Sequence, residues 1–280
     1  MKISHIHLLA AISVTASLAA FATPAFAQSD DKQWEGAYLG GTIGLSAQKG
    51  GDSETVLFDT NRDGIFGDTV RTTTGADAFS PGFCAGAANG RTPAEGCRND
   101  KDGLEYNIRG GYDMQNGNIV YGVVVEGGSS DVRDSVTAFS VTPAFYTFTR
   151  EIDYTLGARL RAGYAAGNAL FYATGGVAYA EIKNSFATSN TANSFANNGN
   201  SNSFGYAAGG GAELKVAKNI SLGLEYLYTN YSKDDYRINV GPGTAAPTNP
   251  FLLVSGGTDF RRSERDFDMH NVRLTAAYRF

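Results

Sequence analysis

Residues 151–164 alternate without a break. Ile152, Tyr154, Leu156, Ala158, Leu160, Ala162 and Tyr164 interleave with Glu151, Asp153, Thr155, Gly157, Arg159, Arg161 and Gly163. A period of two puts each set on its own face of a β-strand, whereas a helix would scatter both around its circumference. A strand that is apolar and aromatic on one side and charged on the other requires two different solvents. That requirement constrains the fold more than any other feature of the chain.

Seven further stretches carry the same pattern: 36–48, 103–114, 119–127, 170–182, 204–216, 220–228 and 271–280. In 36–48, Ala37, Leu39, Ile43, Leu45 and Ala47 oppose Tyr38, Gly40, Thr42, Gly44 and Ser46. In 271–280, Val272, Leu274, Ala276, Tyr278 and Phe280 oppose Arg273, Thr275 and Arg279. Membrane-crossing strands need about 9 to 11 residues each. The connections alternate between a few residues, as in Gln115-Asn116-Gly117-Asn118, and tens of residues. This asymmetry predicts an all-β fold: an eight-stranded antiparallel transmembrane β-barrel with long extracellular loops and short periplasmic turns. A soluble sandwich would not explain why Tyr and Phe gather near the strand ends, where barrels place aromatic girdles. Past residue 27 no apolar run approaches the roughly 20 residues that a membrane helix needs.

The N-terminus reads as an export signal: Lys2, the apolar run 8–20, and Ala25-Phe26-Ala27 as a small-x-small cleavage site. Residues 1–27 are expected to be a cleaved signal peptide, and residues 28–280 one barrel domain. Without the leader, 22 Lys and Arg stand against 28 Asp and Glu. This mildly acidic balance, with no basic tract, gives no reason to expect nucleic acid as a partner.

The terminal HNVRLTAAYRF, the opening WEGAYLGGTIG and the internal YATGGVAYA together resemble the outer-membrane immunogenic or opacity-type porin family, which is similar in architecture to the OmpA membrane domain. The resemblance covers essentially the whole mature chain and implies an integral, exported protein of the Gram-negative outer membrane. In that family a terminal Phe behind alternating aromatic and apolar residues is the signal read by the barrel-assembly machinery. The resemblance therefore gives Tyr278 and Phe280 this role, although Phe280 could equally serve only as a girdle residue. The chain stops at residue 280 without a following periplasmic domain, so anchoring to the cell wall through such a domain is not expected.

An eight-stranded barrel has an interior just wide enough for its own side chains. The residues expected to face inward include Glu105, Arg109, Glu126, Glu151, Asp153, Arg159, Arg161, Glu213, Lys215, Glu225, Arg273 and Arg279, which are near balance in sign. Buried charges persist when paired, so the set reads as a polar plug. The alternative is a narrow path for ions or small solutes. Catalysis is not expected. Hydrolases commonly require a His base beside a nucleophile, and after removal of the leader only His270 remains, near Ser263 and Asp268. Gly209-Gly210-Gly211 lacks the Lys-Ser/Thr ending of a phosphate loop.

The remaining chemistry lies in the loops. Cys84 and Cys97 are the only cysteines, and both sit in the first long loop, 49–102. After passage through an oxidising compartment they are expected to form a disulfide, restricting the unfolded loop by about 3 kcal/mol. Asp59, Asn61 and Asp63 at alternate positions before Gly64 resemble the first half of a calcium loop, with Asp68 as a further oxygen donor. Val70 stands where the bidentate Glu belongs, so an ordinary Asn/Asp/Gly turn is the competing reading, and Ca2+ is the only cofactor the sequence suggests. A loop of this length should have its own organisation or be disordered. The third loop, 183–203, is low in complexity and expected to be mobile. In the fourth, 230–265, Arg261, Arg262 and Arg265 could meet lipopolysaccharide phosphate or host ligands, or be solvated charge. The expected function is structural support of the envelope by a monomeric barrel lying in outer-membrane lipid and lipopolysaccharide. The alternatives are a narrow channel, or an adhesin or receptor acting through loops one and four.

Overall fold

The computed structural model describes residues 32–48, 54–100, 102–232 and 235–280. The expected signal peptide lies outside the described residues. Eight long strands form the barrel: β1 (Gly36–Gln48), β2 (Gly103–Asn116), β3 (Ile119–Ser130), β4 (Ala144–Ala166), β5 (Ala169–Thr188), β6 (Ser201–Ala217), β7 (Ile220–Tyr231) and β8 (Phe267–Arg279). Each pairs antiparallel with the next, and β8 returns to β1 through a register from Tyr38↔Arg279 to Gln48↔Met269. The sheet is closed and has no edge.

Two-residue turns join β2 to β3, β4 to β5 and β6 to β7. Gly117 and Gly167 open the first two with φ of 57° and 59°, the left-handed conformation that tight hairpins require and side chains resist. Leu39, Ile43, Ile108, Val125, Leu160, Val177, Leu224 and Leu274 all point outward and are exposed. Such a belt would be intolerable in water and is what a bilayer requires. Among the described residues no helix is long and apolar enough to cross a membrane, and here the strands do the crossing.

The strands run past the expected boundaries at the end opposite the short turns. β4 begins seven residues before the expected start and spans 23 residues in all, about twice what a bilayer crossing needs. At Asp153 its pairing with β5 slips: Tyr154 faces Glu181, Ile152 faces Ile182, and Asp153 is left over. Such a bulge reverses the alternation. Below it Thr155, Gly157, Arg159 and Arg161 point inward; above it Ile152, Arg150, Phe148 and Tyr146 do.

The long connections fold above the barrel. Strands Ser194–Asn197, Ile238–Gly241, Thr258–Arg262 and Val56–Asp59 form a four-stranded antiparallel sheet. Strand Arg133–Ser140 pairs with the upper half of β4 and carries Gly82–Ala85 on its other edge. Between these layers lies an apolar core of Val56, Phe58, Phe79, Val136, Tyr146, Phe148, Ile238, Val240, Phe251 and Phe260. Loop three, expected to be mobile, contributes to this cap. Residues 183–188 continue β5, and Phe186 and Phe195 pack on this core with their rings 5.4 Å apart.

Candidate functional site

The barrel interior concentrates the chemistry. Five arginines point into it, Arg109, Arg159, Arg161, Arg273 and Arg279, against five acids, Glu105, Asp113, Glu126, Glu213 and Glu225, and all but the half-buried Glu126 are buried. They come from β2, β3, β4, β6, β7 and β8, so the network crosses the lumen and does not run along one strand. In the upper layer Arg273 lies 3.5 Å from Glu105, 3.1 Å from Glu126 and 3.1 Å from Glu225, and Arg159 grips Glu126 at 2.5 Å and Glu225 at 3.3 Å. In the middle Arg109 sits 3.5 Å from Glu213 and 3.6 Å from Glu225. Lower down Arg161 pairs with Glu213 at 2.9 Å and Asp113 at 3.3 Å, and Arg279 with Asp113 at 2.9 Å. The charges are equal in number and each touches at least one opposite, the condition under which burial is tolerable.

Aromatic rings fill the spaces between. The Tyr172 hydroxyl donates to Glu225 at 2.8 Å, and its ring lies 4.4 Å from the Arg161 guanidinium. Tyr38 stacks beneath Arg279 at 4.8 Å. Gly111, facing Tyr38, has no room for a side chain, since an added Cβ would stand 2.4 Å from the tyrosine ring.

Both ends are shut. At the turn end Trp34, fully buried, donates its backbone N–H to Gln115 at 2.8 Å and accepts from Arg279 at 2.5 Å. It packs with Val120, Ala165, Leu170 and Tyr172. At the other end Val132, Ile152, Ile182, Leu227, Tyr231, Phe267 and Met269 close into an apolar layer. The void left beside Glu105, Glu126, Arg159 and Arg273 is about 30 Å³, room for about two waters.

Above the apolar layer lies a second charge cluster. Arg262 reaches Glu54 at 2.6 Å and Asp134 at 2.7 Å, and Arg150 reaches Asp134 at 2.6 Å. Burial pushes the Asp134 carboxyl up, but Arg262 and Arg150 outweigh it and hold Asp134 below the usual range. Glu54 is pushed up by burial despite Arg262. Asp100, beside Asp134, is raised to about 7 by burial and by that neighbour.

Of the twelve residues expected in the lumen, nine belong to the network. Glu151 and Asp153 do not, because the bulge turns them away: Glu151 pairs with Arg133 at 2.6 Å and Asp153 with Lys183 at 2.7 Å, all four partly exposed. Lys215 sits at the turn end, where its ammonium lies 5.6 Å from the Trp34 ring and donates to the Lys218 carbonyl. Asp113 has the inward parity of Arg109 on β2 and joins the network as its tenth charge, whereas nothing in the local sequence around Trp34 signals its burial. The cluster of Glu54, Asp134, Arg150 and Arg262 depends on contacts across more than a hundred residues that no local pattern carries.

Cys84 and Cys97 form a disulfide that ties strand Gly82–Ala85 to strand Cys97–Arg98. In the calcium-like stretch the carboxylates are occupied by the chain itself. Asp59 accepts from the backbone of Asp63 and Gly64 at 3.2 and 2.8 Å, and Asp68 accepts from the backbone and hydroxyl of Thr60 at 2.9 and 2.8 Å. The Asn61 amide donates to Asp63 at 3.0 Å. Among the described residues no group of three or more His, Cys, Asp or Glu could hold a metal ion. Tyr278 and Phe280 lie outside the barrel at the turn end with their rings 5.2 Å apart, and the Phe280 N–H donates to the Ala37 carbonyl.

A closed eight-stranded sheet, apolar without and charge-paired within, defines a small integral β-barrel of the outer membrane. The family model described as outer membrane protein beta-barrel domain matches residues 13–280, and the chain belongs to that family. It is similar to a 22 kDa outer membrane protein of Rhizobium leguminosarum bv. viciae, 34% identical over 131 residues, which cover 47% of this chain and 54% of that protein. A 31 kDa outer-membrane immunogenic protein of Brucella melitensis is 28% identical over 175 residues, 62% of this chain and 65% of that protein. The chain thus spans less than two thirds of the length of these relatives. Among solved structures it is similar to the outer membrane protein OprG from Pseudomonas aeruginosa, with a TM-score of 0.48 and 12% identity over 88% of this chain and 97% of that one.

Proposed function

We propose that this protein is a structural, non-catalytic component of the outer membrane: a plugged, monomeric barrel that stiffens the envelope and holds a folded cap outside it. The observation that carries the reading is the double closure of the lumen, by Trp34 at one end and the Ile152–Ile182–Phe267–Met269 layer at the other, around a balanced charge network in which the cavity beside Glu105, Glu126, Arg159 and Arg273 holds about 30 Å³. A conducting path would have to part at least three buried ion pairs in series. Its surroundings would be outer-membrane lipid and lipopolysaccharide, reached through the barrel-assembly machinery.

The groups that could have made a hydrolytic site are engaged elsewhere. The His270 ring nitrogen lies 2.7 Å from the Tyr226 hydroxyl, Asp268 accepts from Tyr228 at 2.9 Å and from Asn230, and the Ser263 hydroxyl oxygen accepts from the Thr55 N–H at 2.9 Å. Planar-bilayer recording of purified monomer tests the proposal. The expected trace is a flat baseline; stable open-channel currents would favour the porin reading instead.

A further inference from the structure

The outer face of the four-stranded sheet carries a juxtaposition that neither the core nor the ion pairs explain. Asn197 pairs with Ile238, and Ile238 pairs with Phe260. One residue further along, Asn198, Arg237 and Arg261 fall on one row. Ile238 and Phe260 point into the core, so by alternation the side chains of this row point outward. Two arginines directly opposite each other on neighbouring strands repel and destabilise a sheet unless something sits between them.

Among the described residues no carboxylate neutralises them. The other arginines of this region are taken: Arg262 by Glu54 and Asp134, Arg62 by Asp259 at 3.6 Å, and Arg265 by Asp235. Among the described residues neither Arg237 nor Arg261 makes an ion pair, and the buried Nε of Arg261 has no hydrogen-bond partner. The Arg261 guanidinium sits over the Phe66 ring at 4.2 Å, a contact that restrains its donor fork. Phe66, Asn198, Asp235, Arg237 and Arg261 line one cleft of about 280 Å³, just below the range of about 300 to 1,000 Å³ for drug-sized ligands and suited to a small group. Asp235 faces the cleft already paired with Arg265, so it does not cancel the two free charges.

The position of the cleft narrows the ligand. Asn198 precedes the first residue of β6, Ser201, by three positions, and Arg261 precedes the first residue of β8, Phe267, by six. At about 3.3 Å per residue the row lies within about 20 Å of the barrel rim, on the outer face of the cap sheet near the end of the barrel opposite the short turns. We infer that Arg237 and Arg261 form an oxyanion-binding site for a phosphate group borne by an outer-leaflet glycolipid, with Phe66 as the stacking support. Paired guanidinium forks match a phosphate's oxygens in a way a single lysine would not. The inference is independent of whether the lumen conducts.

The test uses the full mature chain refolded in a neutral detergent, with heat-modifiable mobility as the check on folding and the Arg261 side-chain NMR resonance as the readout. Inorganic phosphate should shift that resonance saturably, and Arg237→Gln should weaken the response about ten-fold, the worth of one charge-assisted hydrogen bond. Arg237→Lys should fall between, and Arg133→Gln, which removes an arginine already paired with Glu151, should change nothing. In vesicles the same shift should appear with lipid A and vanish when its phosphates have been removed. A response that never saturates, or that Arg133→Gln weakens as much as Arg237→Gln, overturns the site. Saturation by phosphate without any response to phosphorylated lipid A overturns the glycolipid as its source.

Discussion

The barrel and its cap solve the problem of a buried interior in opposite ways. The lumen is filled by Arg–Glu and Arg–Asp pairs whose side chains cross it from facing strands. The cap is filled by phenylalanine and tyrosine, with Phe58, Phe79, Tyr146, Phe148, Phe251 and Phe260 in mutual contact. The difference follows from the solvent. In the membrane the outer face must be apolar, so alternation leaves the inner face to polar residues, and only pairing makes that tolerable. Above the membrane the outer face meets water and the inner face can take the apolar residues. The Asp153 bulge is where β4 changes from one regime to the other: Arg159 and Arg161 point inward below it, Phe148 and Tyr146 above it.

The comparison can be broken from either side. The largest expected effect is in the lumen: Arg273→Met takes from Glu105 its ion-pair partner, leaves Glu126 and Glu225 with fewer, and should cost about 3 to 5 kcal/mol. Denaturant titration of the barrel, followed by heat-modifiable mobility, should register the loss. In the cap, Phe260→Ala removes a ring at the centre of the aromatic cluster and should cost about 3 to 5 kcal/mol locally. Here the heat-modifiable barrel should survive while proteases gain access to residues 183–203 and 235–262. A cap variant that abolished the barrel would show that the two cores are one cooperative unit.

A smaller effect tests the lipid face. Leu274→Arg puts a charge near the middle of the belt, at about 2 to 4 kcal/mol, whereas Phe280→Asp at the turn-end interface should cost only about 0 to 1 kcal/mol. Refolding without assembly machinery should therefore fail for the first and succeed for the second. If Phe280→Asp nevertheless fails to assemble in cells, recognition by the machinery and not stability is at fault. Equal refolding defects would remove that distinction.

The smallest expected effect concerns pH. Asp100 is raised to about 7 by burial and by Asp134, and its Oδ1 accepts the Ser135 N–H at 2.6 Å. An acid whose folded value lies above its unfolded value of about 4 contributes stability that is fully present below pH 4 and lost as pH rises through 7. The lobe around residues 82–100 should therefore tighten on acidification from pH 8 to 5.5. Ser135 amide protection, corrected for intrinsic exchange, should rise with it, and Asp100→Asn should flatten the dependence.

Much of the barrel was readable because its information is local. Strand β1 began and ended where its alternation did, and the turn glycines marked the hairpins. The inward arginines Arg109, Arg159, Arg161, Arg273 and Arg279 followed from parity alone. Parity failed at Glu151 and Asp153, because one extra residue reverses every side chain beyond it and leaves no mark in the alternation itself. The cap was not readable for a different reason. Phe186 and Phe195 sit among Asn, Ser, Ala and Thr in a stretch that looks like linker, and the strands they meet, Ile238–Gly241 and Thr258–Arg262, lie forty or more residues away. Non-local pairing of short strands gives no periodic signal long enough to detect.

The central claim is that this barrel carries a folded cap with its own core and not a set of loose loops. Amide hydrogen exchange of the refolded protein in detergent tests it most directly. Protection across residues 56–59, 136–139, 145–149, 194–197, 238–241 and 258–262 should approach that of the barrel strands, with exchange slowed by orders of magnitude relative to an unfolded chain. Complete exchange of those segments within seconds, while β1 to β8 remain protected below the bulge, would contradict it.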